Sequence, residues 1–197
     1  MAVVADALRT HTRARILEAA FRAVSTFGLS RFTMDDVARS AAVSRQTVYR
    51  YFPSRDDLIL ALVEREEETF LEGTRAAFSA HRRLEDAMEQ ALLFSLRAAR
   101  EHPLLDRLLA AEPEALLPYL TIRGGPLLAR ARAVLEELVR GRTDVRPELL
   151  HRAVDLAVRA VVSYTLTPTE DLPEDVARES ARILTSALNA NRKEDRR

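Results

Sequence analysis

Arg45, Gln46, Tyr49 and Arg50 stand at i, i+1, i+4 and i+5, a spacing that puts two guanidinium forks, an amide and a phenol on one face of a helix. Those groups match what duplex DNA presents in its major groove. Arginine pairs bidentately with guanine, glutamine with adenine, and a threonine methyl touches that of thymine, with about 1–3 kcal/mol of discrimination for each good bidentate pair. Arg45, Gln46 and Thr47 are therefore expected to contact bases. The hydroxyls of Thr33, Tyr49 and Tyr51, the Arg55 guanidinium and the free amides where Ser44 opens the helix are expected to meet phosphates, fixing register rather than sequence. Arg50 suits either role.

A helix of about two turns has no stability of its own, so its neighbours must hold it. Thr33-Met34-Asp35-Asp36 has the Thr-x-x-Asp form of a capping box and opens a helix that ends near Ala41. Ser44 caps the next helix, which carries Arg45 to Phe52 and is broken by Pro53. Val37, Ala38 and Ala41 face inward, Val43 fills the turn, and Val48 and Phe52 lie one turn apart on the reading helix. Ahead of them a helix from Thr10 to Phe27 offers Ile16, Leu17, Ala20, Phe21, Val24 and Phe27 as an apolar stripe, with Gly28 as its left-handed stop. The three elements spell a helix-turn-helix unit.

Beyond Pro53 the apolar residues keep a three- and four-residue spacing and no segment alternates like a strand. Ser54-Arg55-Asp56-Asp57 starts a long helix, and breakers divide the rest into helices over 84–101, 103–111, 114–120, 126–140, 147–166 and 173–189. The fold class is all-α, with about nine to ten helices. The last two are apolar on more than one face, as helices must be when one side packs on the subunit core and the other on a symmetry mate. A homodimer through these helices would place two reading helices on half-sites about one turn of DNA apart.

The 197 residues carry no net charge, yet residues 1–56 hold nine arginines against five acids, a net of +4 that the remainder balances. A basic front and an acidic body suit a chain whose front meets a polyanion. Cysteine is absent, which excludes disulfides and thiolate chemistry and fits a cytoplasmic location. The longest uncharged stretch, Ala160 to Thr169, is too short to span a bilayer, and the first residues lack a secretory pattern. His11, His81, His102 and His151 are scattered without carboxylates at ligand spacing, so no metal site or cofactor is expected. No nucleophile elbow, phosphate loop or dinucleotide fingerprint marks an enzyme.

Phe27-Gly28, Thr33, Val37-Ala38, Ala42-Val43-Ser44, Tyr49-Arg50-Tyr51-Phe52 and Arg55-Asp56-Asp57-Leu58 follow one another in an order that resembles the DNA-binding domain of the tetracycline-repressor (TetR/AcrR) family of bacterial transcriptional regulators. Three positions depart from the family pattern. Ala42 stands for the usual turn glycine, Tyr51 for histidine and Arg55 for lysine. The resemblance implies a DNA-binding domain over residues 1–54 and an effector-binding and dimerisation domain over 55–197. It implies a dimeric repressor of a palindromic operator, released by a hydrophobic small molecule held in an apolar cavity. Phe70, Phe78, Met88, Leu92, Phe94, Leu105, Leu109, Leu116, Tyr119 and Leu120 are the expected lining, among helices broken by prolines and glycines. The rival reading is a helical carrier of an apolar ligand that does not bind DNA.

Overall fold

A computed structural model describes residues 2–194, and among them every regular element is helical. In order these are α1 (Ala2–Phe27), α2 (Met34–Ser40), α3 (Arg45–Tyr51), α4 (Arg55–Ser79), α5 (Leu84–Glu101), α6 (Pro103–Ala111), α7 (Pro113–Leu120), α8 (Gly125–Arg140), α9 (Pro147–Leu166) and α10 (Pro173–Glu194). The all-α expectation holds, with ten helices. The main difference from the periodicity lies in α1, which starts at Ala2 rather than Thr10, because neither glycine nor proline interrupts the chain before Gly28. None of the described helices is long and apolar enough to cross a membrane.

The chain divides into two compact units. The first holds the described residues up to 66 together with 107–119, so α7 and most of α6 return to the helix-turn-helix region. Ile16, Ala20 and Val24 of α1, Val37 of α2, Val48 of α3 and Leu58 of α4 are wholly buried in it. Helix ends inside this unit are satisfied by side chains as well as by backbone. Arg15 Nη2 donates to the Ala41 carbonyl at 2.6 Å, and Arg22 donates to the Ser40 carbonyl and hydroxyl, so two cations of α1 sit at the negative end of α2.

The second unit holds residues 67–106 and those from 120 onward. Here α10 lies along α5 and α9 packs on α5, α8 and α10. Small residues permit that closeness: Ala87, Ala91, Ala177 and Ala181 are all buried. Gly73 of α4 is occupied against in the same way, since a Cβ there would lie 2.1 Å from the Phe94 ring. The opposite faces of α9 and α10 leave Leu156 and Ile183 about 60% exposed.

Candidate nucleic-acid interface

Thr33 opens α2 with the capping box that its spacing predicts. The Asp36 N–H donates to Thr33 Oγ1 at 3.2 Å, and the Thr33 N–H and hydroxyl both donate to Asp36 Oδ2, at 2.9 and 2.6 Å. These bonds hold the Asp36 carboxyl below the ordinary carboxylate range, with the Arg39 guanidinium adding to the effect. Ser44 caps α3 by accepting from the Thr47 N–H at 3.1 Å, and its hydroxyl lies 2.9 Å from that of Thr47. Thr33 and Ser44 are thus engaged in opening their helices, and Thr47 is half-buried at the edge of the face.

Between the two helices Ala42 has φ +51°, inside the left-handed region that favours glycine. Alanine occupies it because Val43 must turn back: the Val43 N–H donates to the Ala38 carbonyl and closes the end of α2. The turn therefore keeps the glycine geometry without the glycine.

Val48, wholly buried, fixes the rotation of α3 about its axis. That rotation exposes Arg45, Gln46, Tyr49 and Arg50 together. Arg45 Nη1 donates to Asp35 Oδ2 at 2.9 Å, Nη2 reaches Tyr49 Oη at 3.5 Å, and Cζ lies 5.4 Å from the centre of the Tyr49 ring. The Tyr49 hydroxyl first, and then Asp35, favour the charged guanidinium further. Arg50 lies over the half-buried Tyr51 ring with Cζ at 5.7 Å. Arg55 is set differently. Its guanidinium is 4.5 Å from the Phe32 ring centre and donates to the carbonyls of Leu29 and Phe32, so it ties the start of α4 to the loop before α2. Arg55, half-buried among these partners, is a cation of the basic front that the fold itself engages.

The second unit contains a small apolar cavity of about 30 Å³, lined by Thr74 and Phe78 of α4, Met88, Ala91, Leu92 and Ser95 of α5, Leu135 and Val139 of α8, and Val154, Ala157 and Val161 of α9. Thr74 and Ser95 donate their hydroxyls to the carbonyls of Phe70 and Ala91 within their own helices. Of the ten residues expected to line a pocket, Phe78, Met88 and Leu92 line this cavity. Phe70 and Phe94 pair with each other, ring centres 6.2 Å apart, while Leu105, Leu109 and Leu120 are half-buried and Leu116 and Tyr119 are buried. Residues of α8 and α9 complete the lining; their helical spacing in the sequence is that of any core residue. Among the described residues no cluster of three or more potential ligands could hold a metal ion.

Residues 16–62 match the family described as bacterial regulatory proteins, tetR family, and residues 84–186 match the bacterial tetracyclin repressor C-terminal domain. The chain belongs to the TetR family. It is 31% identical to the HTH-type transcriptional regulator AlkX of Mycobacterium tuberculosis over 92% of its length and 87% of that protein's. The crystal structure of the TetR family repressor AlkX from Dietzia sp. strain DQ12-45-1b, implicated in biodegradation of n-alkanes, superposes with a TM-score of 0.75 at 27% identity, covering 90% of this chain and 97% of that one. RolR in complex with resorcinol shares the fold, with a TM-score of 0.60 at 19% identity over 92% of this chain and 93% of that one. TetR-family members are DNA-binding transcriptional regulators and not enzymes, which sets aside a carrier that ignores DNA.

Proposed function

We propose that this TetR-family protein is a ligand-responsive repressor that binds a palindromic operator as a homodimer in the cytoplasm and is released by a hydrophobic small molecule. The observation that carries the reading is the face of α3: Arg45, Gln46, Tyr49 and Arg50 are exposed together while Val48 anchors the helix beneath them. Arg45, Gln46 and Thr47 read bases, and Arg50, Tyr49, Tyr51, Thr33 and the α3 start capped by Ser44 meet the backbone. Arg55 acts by holding the loop before α2. Residues 1–54 form the DNA-binding domain and 55–197 the effector and dimerisation domain, in which Leu156 of α9 and Ile183 of α10 face the second protomer.

The cavity is apolar and small. An effector pocket takes about 300–1,000 Å³, so a ligand that enters this cavity has to part the helices around Phe78, Met88 and Leu92. That requirement supplies the switch, because a ligand that binds only the opened state draws the dimer away from the spacing that suits DNA. A nearly complete switch needs about 10⁴-fold preference for one state. An alkyl chain is the effector class favoured by the likeness to two proteins named AlkX, one of them implicated in biodegradation of n-alkanes. The reading is tested by retention of the purified protein on mixed genomic DNA: binding should weaken with rising salt and be lost in Arg45→Ala plus Arg50→Ala. Undiminished retention of that double variant would overturn it.

A further inference from the structure

Within the face that meets the polyanion one carboxylate stands out. Asp35, in the first turn of α2, is half exposed and places Oδ2 2.9 Å from Arg45 Nη1. Its neighbour Asp36 closes the cap with Thr33 and also pairs with Arg39, so the capping box is complete without Asp35. An ion pair between side chains 62% and 50% exposed adds little to stability, and the fold does not need it. A carboxylate at this place also repels phosphates and so weakens binding to every sequence. What the pair does change is the aim of the guanidinium. With Nη1 on Asp35, Nη2 reaching Tyr49 Oη and Cζ over the Tyr49 ring, Arg45 is oriented before it meets DNA.

We infer that Asp35 is a specificity-determining positioning residue: it aims Arg45 at one guanine in each half-site and penalises sequences that lack it. The inference rests on the reading of α3 as the base-reading helix. An arginine without this support swings to the nearest phosphate and binds any sequence. Held by Asp35, it must break the ion pair to do so, and the remaining N–H groups of its fork present a fixed pattern to the groove. Affinity for arbitrary DNA is thereby exchanged for discrimination, with the repulsive element supplied by α2.

The test uses the full chain. Duplexes selected by the protein from a random pool define its site; wild type, Asp35→Asn, Arg45→Ala and the double variant are then titrated, at one fixed salt concentration, against that site, each single-base-pair change of it and an unrelated duplex. Both side chains are exposed, so the variants fold as the parent does. Asp35→Asn should bind the unrelated duplex about two- to fivefold more tightly. It should lose about tenfold in preference at one base pair of each half-site, the same pair at which Arg45→Ala loses preference. In the Arg45→Ala background the Asp35 change should move no preference. If Asp35→Asn keeps every preference while Arg45→Ala loses one, the role of Asp35 is overturned and the reading by α3 stands. If Arg45→Ala keeps every preference, both fail together.

Discussion

Gly28→Ala perturbs two things whose sizes follow from separate features of the first unit. Gly28 has φ +87°, and an L side chain in left-handed backbone costs about 1–2 kcal/mol. The new Cβ would also lie 1.7 Å from Glu112 Oε1 and 2.7 Å from Glu112 Cδ, so the carboxylate must leave. With it goes the 2.7 Å bond that Glu112 Oε2 accepts from the Ser30 N–H. A bond to a charged group is worth about 1.5–3 kcal/mol, and solvent around this partly exposed carboxylate reduces that to about 1 kcal/mol. The sum is about 2–3 kcal/mol of lost stability. In a Glu112→Ala background neither the obstructing atoms nor the bond remains, so the same change should cost only the backbone part, and the cycle should show a coupling of about 1 kcal/mol. Urea unfolding followed by circular dichroism at fixed protein concentration measures all four proteins. Equal cost in both backgrounds would refute the placement of Glu112 against the α1 stop; no cost in either would refute the left-handed glycine.

Glu112 also predicts a pH dependence. The Ser30 hydrogen bond, ahead of the nearby Arg31 and Arg107 charges, holds its carboxyl below the ordinary range, so the stability it lends is complete above that range and lost as pH falls through the lowered value. The difference between wild type and Glu112→Gln should therefore be present at neutral pH and vanish in acid; a difference that grows in acid contradicts this sign. Ala42→Gly relieves left-handed strain of about 1–2 kcal/mol and pays about 0.5–1 kcal/mol in chain entropy, so the melting temperature should rise for a net gain of about 0.5–1 kcal/mol, and a fall would contradict the turn geometry. If the exposed faces of α9 and α10 form the proposed dimer contact, Leu156→Arg plus Ile183→Arg should lower the mass found in sedimentation from two chains to one and abolish operator binding, whereas an unchanged mass would exclude this face.

What the sequence disclosed were features written within a turn or two of chain. Thr33 with Asp36, Ser44 before Arg45, and Pro53 after Phe52 bound α2 and α3 by local hydrogen-bond chemistry, and the alternation of Val48 and Phe52 with Arg45, Tyr49 and Arg50 sets which face is buried. What it hid depends on residues distant in sequence. Nothing near Arg55 says that the Leu29 and Phe32 carbonyls will claim its fork, and nothing near Arg15 or Arg22 says that both close the end of α2. Asp35 reads as an ordinary first-turn acid until α3 brings Arg45 to it. The cavity was hidden for a different reason: Leu135, Val139, Val154, Ala157 and Val161 have the spacing of any packed helix, and only the assembled second unit separates lining from plain core.

In the proposed complex α3 enters the major groove in two copies related by a two-fold axis. Methylation interference on the selected operator tests it most directly, because guanine N7 lies in the major groove and adenine N3 in the minor. N7 methylation should abolish binding at positions symmetric about a dyad, about one helical turn apart, and Arg45→Ala should remove this sensitivity. Binding that tolerates N7 methylation throughout, or that is sensitive only to adenine N3, contradicts it.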